Sequence, residues 1–450
     1  MSVDGFPRDF RWGAATAAFQ IEGATTADGR GESIWDRFAS TPGKVVNGDT
    51  GDPACDHYHR WREDLDLIGS LGLRSYRFSI SWPRIQADGH GPANVKGLDF
   101  YRRLLEGLHE RGIAPLVTLY HWDLPQALED GGGWASRDVV GRFADYAQLV
   151  FDGLGDLADD WITHNEPWVT SFLGYALGVK APGATDWSRA LRASHHTLLS
   201  HGEVVRAFRE GGYGGRIGIS LDLTVARPGR DADDDRAAAT RFDGYHNRWF
   251  LDPVLRGSYP ADLVAHYEQR FGPFDAVHEG DLAAIAEPID FLGVNFYRPN
   301  VVTARDDGSV LGLADVPLDA ETTAMGWPIV PAALTELLLR LKQDYGDAPL
   351  LITENGAAFE DRLNGADTVD DPRRIEYIAG HLDAVRAAIA AGVDVRGYYV
   401  WSLLDNFEWE HGYSQRFGLV YVDYATQRRI PKRSALWYRD RIAASSSVSS

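Results

Sequence analysis

Short, mostly apolar runs alternate with helical patterns from one end of the chain to the other. Eight runs read as strands: Phe10–Ala14, Ser75–Ser79, Ala114–Leu119, Asp160–His164, Ile217–Leu221, Phe291–Asn295, Leu350–Thr353 and Gly397–Trp401. Between them, helical patterns cover Trp61–Ser70, Val95–Arg111, Asp138–Leu149, Trp187–Glu210, Ala332–Asp344 and Asp371–Ala391. Gly72 and Gly112 follow helical runs where a C-terminal cap belongs. Eight βα repeats in one uninterrupted chain predict an α/β fold, a single (β/α)8 TIM barrel rather than an open doubly wound sheet. Long βα loops at the C-terminal ends of the strands would then form an active-site cleft.

Polar residues fall in phase with those strand ends. Gln20 and Glu22 follow the first strand, Arg77 lies within the second, and His121 follows the third. Asn165 and Glu166 follow the fourth, Asn295 and Tyr297 end the sixth, and Glu354 ends the seventh. Trp401, Glu408 and Trp409 come with the eighth. One such residue is a satisfied loop group; a set recurring strand after strand marks a site. The segment 298–330, after the sixth strand, is long enough to wall the outer cleft, and it contains Trp327.

Composition narrows the picture. Apolar residues make up 44% of the 450 positions, ample for a large core. No linker-like cluster interrupts them, so residues 1–444 read as one catalytic domain and the serine-rich tail, 445–450, as disordered. The formal charge is −20, from 45 basic and 65 acidic residues, and no Lys/Arg-rich run exists. That excludes the basic face expected for nucleic-acid binding and disfavours an anionic membrane surface. Cys55 is the only cysteine, so no intrachain disulfide forms, and it reads as a plain loop thiol. No apolar stretch approaches the roughly 20 residues of a membrane span, and the first residues carry no leader pattern, which points to a cytoplasmic protein.

The candidate chemistry sits in two runs, Thr163-His164-Asn165-Glu166-Pro167 and Ile352-Thr353-Glu354-Asn355-Gly356. A pair of carboxylates at strand ends can cleave an acetal, one giving a proton to the leaving oxygen and one facing the anomeric carbon. Residue types alone leave open which glutamate does which. Arg77, Tyr297 and Asn295 would hold a carboxylate ionised, while a second carboxylate or apolar neighbours such as Pro167 and Trp168 would keep one protonated. Trp401 and Trp409 suit the apolar face of a sugar, and Gln20, His121, Asn165 and Glu408 its hydroxyls.

With those residues assembled, the chain resembles family 1 glycoside hydrolases, the β-glucosidase family. The resemblance rests on Phe10–Gly23, Tyr76–Arg84, Thr118–Pro125, Asn165-Glu166-Pro167, Asn295-Phe296-Tyr297, Thr353–Gly356 and Trp401–Trp409, in order over nearly the whole chain. It implies a (β/α)8 barrel and a retaining mechanism, with Glu166 as general acid/base and Glu354 as nucleophile. It places Gln20, His121, Asn165, Trp401, Glu408 and Trp409 around the non-reducing sugar and Arg77, Asn295 and Tyr297 beside the nucleophile. It implies no metal and no cofactor. The partner would be a small β-glycoside or cello-oligosaccharide; the oligomeric state is left open. A glutamate at 166 favours an O-glycosidase over a thioglucosidase, and Glu408 favours an unphosphorylated sugar. Glucosidase activity with some galactosidase, fucosidase and transglycosylation activity is expected.

Two positions depart from the family pattern: His164, where phenylalanine is usual, and Lys180, where histidine is usual. Next to Asn165 on a strand, His164 is expected to face away from the site as a polar replacement in packing. Lys180 is expected at the rim of the cleft. Asp56, His57 and His59 lack metal-ligand partners, and His195, His196 and His201 lack ligand spacing. Asp231–Asp235 reads as a solvated acidic loop.

Overall fold

In the computed structural model, which describes residues 5–365 and 367–446, eight parallel strands close into a barrel. They are β1 (Arg11–Ala15), β2 (Ser75–Ser79), β3 (Ala114–Tyr120), β4 (Asp160–Asn165), β5 (Arg216–Asp222), β6 (Phe291–Asn295), β7 (Leu350–Asn355) and β8 (Val395–Trp401). Strands adjacent in sequence pair in space, and β8 closes on β1 with Tyr398 opposite Trp12. Helices His57–Ser70, Val95–Glu110, Asp138–Leu154, Trp187–Glu210, Pro331–Tyr345 and Pro372–Ala390 form where the patterns place them. Parallel strands need such crossovers.

Two apolar cores follow from the period-two alternation of the strands. The lumen holds Leu116, Ile162, Phe291, Leu351 and Tyr399. The far larger core lies between strands and helices and takes Val117, Trp161, Ile219, Val294 and Ile352. Burying each such side chain stabilises the fold by about 1.5–3 kcal/mol. At the floor of the lumen, Asp160 is held by Arg11 and by Arg216, the latter at 2.8 Å. Gly13 is required there: a Cβ would come within 2.5 Å of the Tyr399 ring. The Tyr399 hydroxyl in turn meets Ser75 Oγ at 2.8 Å.

The alternation breaks at two places. The β4–β5 register shifts between Ile162 and Asn165, and the β7–β6 register between Ile352 and Glu354. In β4 the irregularity turns both Thr163 and His164 towards the helices. Thr163 Oγ1 meets His201 Nδ1 at 2.7 Å and His164 Nε2 meets Ser200 Oγ at 2.9 Å. His164 therefore faces away from Asn165, as expected. Its ring packs on Phe143 at 4.4 Å and Trp134 at 5.1 Å.

Several expectations change. Asp231–Asp235 is only in part a solvated loop: Asp231, Asp233 and Asp234 are exposed, but the helix Asp233–Asp243 begins within the run, and Asp235 is buried, accepting from Arg230 at 2.8 Å, Thr303 at 2.9 Å and the Ala304 N–H at 2.8 Å. The acidic first turn suits a helix N-terminus, a signal the run of like charges conceals. Segment 298–330 contains strands Asn300–Ala304 and Leu313–Asp315, which join Ala226–Pro228 in a small sheet. Val169–Ala176, just after β4, is a π-helix that periodicity at 3.6 does not find. Cys55 is buried, and its thiol donates to Asp405 O at 3.0 Å; burial pushes its pKa up, so it is inert. The terminal helix Arg433–Ser446 takes in the first two serines of the expected tail; residues 447–450 lie outside the described residues.

His164 carries a testable consequence. It is fully buried, its Nδ1 has no hydrogen-bond partner among the described residues, and burial holds its pKa well below the ordinary value. The unfolded chain takes up a proton near pH 6.5 and the folded one does not, so this histidine costs stability as pH falls below that point. His164→Phe is expected to stabilise the fold at pH 7 by about 1 kcal/mol, to leave kcat/KM within about twofold, and to lose less stability than the parent between pH 7 and pH 5. Denaturant unfolding at the two pH values checks the stabilities and steady-state kinetics on an aryl β-glucoside the activity; an unfolding midpoint that drops at pH 7 would sink the packing account.

Candidate active site

The two register shifts lie immediately before Asn165-Glu166 and Glu354. Both glutamates are thereby turned into one cavity of about 440 Å³ at the C-terminal ends of the strands. Glu166 itself sits in the left-handed region, at φ 50°. So do two other cavity residues, Trp122 at φ 79° and Trp409 at φ 48°. Such conformations cost on the order of 1–3 kcal/mol each and persist where surroundings over-determine them. The Glu166 N–H is fixed to Ser220 O of β5 at 2.9 Å.

Arg77 of β2 links the two halves of the site. It is buried, and its Nη1 donates to Glu354 Oε1 at 2.6 Å and to Thr353 O at 3.0 Å. Its Nη2 donates to Asn165 Oδ1 at 2.7 Å, and its Nε to Thr118 Oγ1 at 3.2 Å. The other oxygen of Glu354 accepts from Tyr297 OH at 2.6 Å. Asn295 Nδ2 donates to Glu166 Oε1 at 2.6 Å and to Asn165 Oδ1 at 2.9 Å, while its own Oδ1 accepts from Thr353 at 2.7 Å. Glu354 thus has a cation and a phenol; Glu166 has a neutral amide.

Their electrostatics differ accordingly. Burial, then the charges of Asp222 and Glu354, hold the Glu166 carboxyl well above the usual carboxylate range, opposed only by Asn295 and Arg77. Burial also raises Glu354, but Arg77 and Tyr297 pull it back towards the ionised form. Of the pair, Glu166 is the one pushed further towards its protonated form.

The sugar-side residues leave polar atoms waiting. Asn165 Oδ1 is taken by Arg77 and Asn295, so its Nδ2 faces His121 Nε2, at 3.0 Å. That assigns the His121 proton to Nδ1, which has no partner among the described residues. Burial and Arg77 keep this histidine neutral by lowering its pKa well below the ordinary value. Gln20 Nε2 donates to Asn406 Oδ1 at 3.0 Å and Phe407 O at 2.9 Å, leaving Gln20 Oε1 unpartnered. Glu408 Oε2 is also buried and unpartnered, and burial pushes Glu408 up to about 8, against the pull of Lys180. Trp401 and Trp409 give the aromatic surface; His121 lies 5.7 Å from the first and 6.0 Å from the second. Trp409 is braced by Trp35 and Trp122, both at 4.5 Å.

All but one of the strand-end residues picked from the sequence fall in this region; Glu22 instead pairs with Arg84 at 2.8 Å and accepts from Tyr101 OH at 2.6 Å, away from the cavity lining. His121, Glu166, Tyr297, Trp327, Glu354, Trp401, Glu408 and Trp409 line the cavity; Arg77, Asn165 and Asn295 stand behind its wall, bonded to lining groups, and Gln20 is bonded to Asn406 and to Phe407, the residue before Glu408. Trp327 packs on Tyr297 at 5.3 Å and Phe417 at 6.1 Å, at the outer side. Lys180 is not at the rim: it is mostly buried, pairs with Glu410, and lies 5.7 Å from the Trp122 ring. Sequence reasoning also missed Asp222, His246, Leu173, Leu311 and Leu313 in the outer wall. Asp222, the residue after the predicted fifth strand, obeys the strand-end rule that found the others; the leucines give no signal of their own. Among the described residues, no group of His, Cys, Asp or Glu side chains is arranged to hold a metal ion.

Comparison with known proteins agrees with this geometry. The chain is 47% identical to "Beta-glucosidase A" of Acetivibrio thermocellus, over 98% of this chain and 99% of that protein. It is 46% identical to a "Bifunctional beta-D-glucosidase/beta-D-fucosidase" of Bifidobacterium breve, over 97% of this chain and 98% of that one. The solved family 1 β-glucosidase of Thermotoga maritima superposes with a TM-score of 0.95 at 46% identity, covering 99% of both chains. The family model described as "Glycosyl hydrolase family 1" matches residues 2–446, and with a barrel, a buried glutamate pair and relatives of this closeness, the chain belongs to that family.

Proposed function

We propose that this chain is a retaining β-glucosidase that removes terminal β-D-glucosyl residues from small glycosides, with the whole barrel as its one catalytic unit. The observation that carries the assignment of roles is the asymmetry of the glutamates: Arg77 and Tyr297 hold Glu354 at 2.6 Å each, while Glu166 is held by an amide and faces other carboxylates. In the first step Glu354 forms a bond to the anomeric carbon as the glycosidic C–O bond breaks, and Glu166 passes its proton to the leaving oxygen. In the second, Glu166 takes a proton from water, the water oxygen bonds to the anomeric carbon, and Glu354 leaves as a carboxylate. Arg77 compensates the charge on Glu354 at both ends of this cycle.

Substrate recognition follows from the unpartnered atoms. Gln20 Oε1 and Glu408 Oε2 accept from sugar hydroxyls, and His121 Nδ1 donates to one. Trp401 and Trp409 meet the apolar face of the ring. Because Glu408 can take two neighbouring hydroxyls, a deoxy sugar lacking one of them still binds, and the site accepts fucosides beside glucosides. The names carried by relatives, a glucosidase and a glucosidase/fucosidase, support the same range.

Two measurements test this. With an activated aryl β-glucoside and azide, Glu354→Gly is expected to yield the α-glycosyl azide and Glu166→Gly the β-glycosyl azide; the reverse pattern exchanges the roles. Glu408→Gln removes a charge-assisted hydrogen bond, so kcat/KM for the β-glucoside is expected to fall roughly 10- to 100-fold. The β-fucoside should lose less. Equal losses on both sugars, measured side by side, would rule out the two-hydroxyl role of Glu408.

A further inference from the structure

A third carboxylate, Asp222, lies in the cavity and takes no part in the two-step chemistry. It is the last residue of β5 and lines the cavity together with Glu166 and Glu354. Ser220, two positions earlier, turns inward to Thr353 Oγ1 at 2.7 Å. Side chains two apart on a strand share a face, so Asp222 points the same way, one step nearer the mouth. Its partner in register is Asn295, the residue whose amide donates to Glu166.

The Asp222 carboxylate has one close charged-type neighbour among the described residues. His246 Nε2 stands 3.2 Å from it. His246 belongs to the π-helical turn Gly244–Arg248 and is buried. Its ring lies 4.2 Å from Trp168, two residues beyond Glu166, and 5.6 Å from Phe242. No well-formed hydrogen bond occupies either ring nitrogen among the described residues. Among the described residues, Asp222 is the one carboxylate paired with this ring.

We propose that Asp222, oriented by His246, is a positioning residue for the general acid: its negative charge across the cavity keeps the proton on Glu166 until the leaving oxygen takes it. The inference rests on the reading of Glu166 as general acid. Burial is the largest influence raising Glu166, and the groups acting beside it are few. Arg77 from β2 favours its ionised form; Asp222 from β5 and Glu354 from β7 favour the protonated one, with Asp222 the larger of the two. Asn295 from β6 donates to it, and Tyr297, after β6, is committed to Glu354. Asp222 is faced by His246. Once Glu354 is consumed in the covalent intermediate, Asp222 is the remaining carboxylate of the pair that acts on Glu166.

The test is Asp222→Asn, which keeps the shape and removes the charge. The alkaline limb of the kcat/KM profile for cellobiose, whose leaving group needs the proton, is expected to move to lower pH. Above that limb the rate falls roughly tenfold. With 2,4-dinitrophenyl β-glucoside, which leaves without help, kcat/KM is expected to stay within about twofold, and Asp222→Glu is expected to restore the limb. An unmoved limb, or equal losses on both substrates, overturns the proposal; Asp222→Ser carries the same measurement if the asparagine variant does not accumulate folded. Glu166→Gln separates the two levels. If the alkaline limb survives in that variant, the acid assignment itself fails; if it is lost there but unmoved in Asp222→Asn, only the role of Asp222 fails.

Discussion

The buried guanidinium of Arg77 is the interaction on which the site depends. It joins strands β2, β4 and β7 through Asn165, Thr353 and Glu354, at 2.7, 3.0 and 2.6 Å. A cation sealed from water is costly unless its donors are matched by close acceptors. Here four contacts match them, counting Thr118 Oγ1 at 3.2 Å. Because Asn165 Oδ1 is committed to Arg77 and Asn295, the amide of Asn165 must face His121, which in turn fixes the tautomer of that ring. One charge on β2 thus orders side chains on β3, β4, β6 and β7. It also breaks the symmetry between two buried glutamates that would otherwise compete for one proton. Removing Arg77 would leave Glu354 a buried carboxylate with only the Tyr297 hydroxyl, and both glutamates would tend to protonate.

Backbone irregularity gives that arrangement its geometry. Strict alternation would put neighbouring residues on opposite faces of a strand. The shifts at Ile162–Asn165 and Ile352–Glu354 release the chain from alternation where the two glutamates must enter the cavity. The left-handed φ of Glu166, Trp122 and Trp409 belongs to the same economy of form: local strain is accepted where it aims a functional side chain, and the surrounding barrel holds it.

The fold was largely legible because a buried parallel strand has few ways to be written. Phe291–Asn295 and Ser75–Ser79 match their predicted bounds, and the remaining strands differ only at their ends. The inner site was legible for a related reason. Polar residues at barrel strand ends, such as Glu354 and His121, are costly in a core and stand out against apolar runs. What stayed hidden depends on contacts between distant segments. Lys180 gives no local hint that it will be drawn inward to Glu410 and Glu408. His246 reads as a helix residue until its helix is set against β5. Asp235 looks solvated until Arg230, Thr303 and Ala304 close around it. The leucines at 173, 311 and 313 line the outer wall through loop paths that no periodicity encodes.

The sugar side shows how stability and function trade against each other. Gln20 Oε1, His121 Nδ1 and Glu408 Oε2 are polar atoms in a buried wall with no hydrogen-bond partner among the described residues. Each carries a desolvation cost of about 1–3 kcal/mol in the empty protein. A ligand that supplies hydroxyls at those points recovers that cost; one that lacks them does not, and discrimination arises as much from the atoms left bare as from those engaged. The raised pKa of Glu408 fits the same logic. Burial favours its neutral form against the pull of Lys180 and of a hydrogen bond from Trp401, and further hydroxyl donors would favour the ionised one. On the proposed sugar-binding role, donors brought by a sugar would shift Glu408 towards its ionised form. Lys180, close enough to pull on Glu408 and paired with Glu410, acts in the same direction. The residue that looked like a departure at the rim of the cleft acts electrostatically on the carboxylate proposed to bind the sugar.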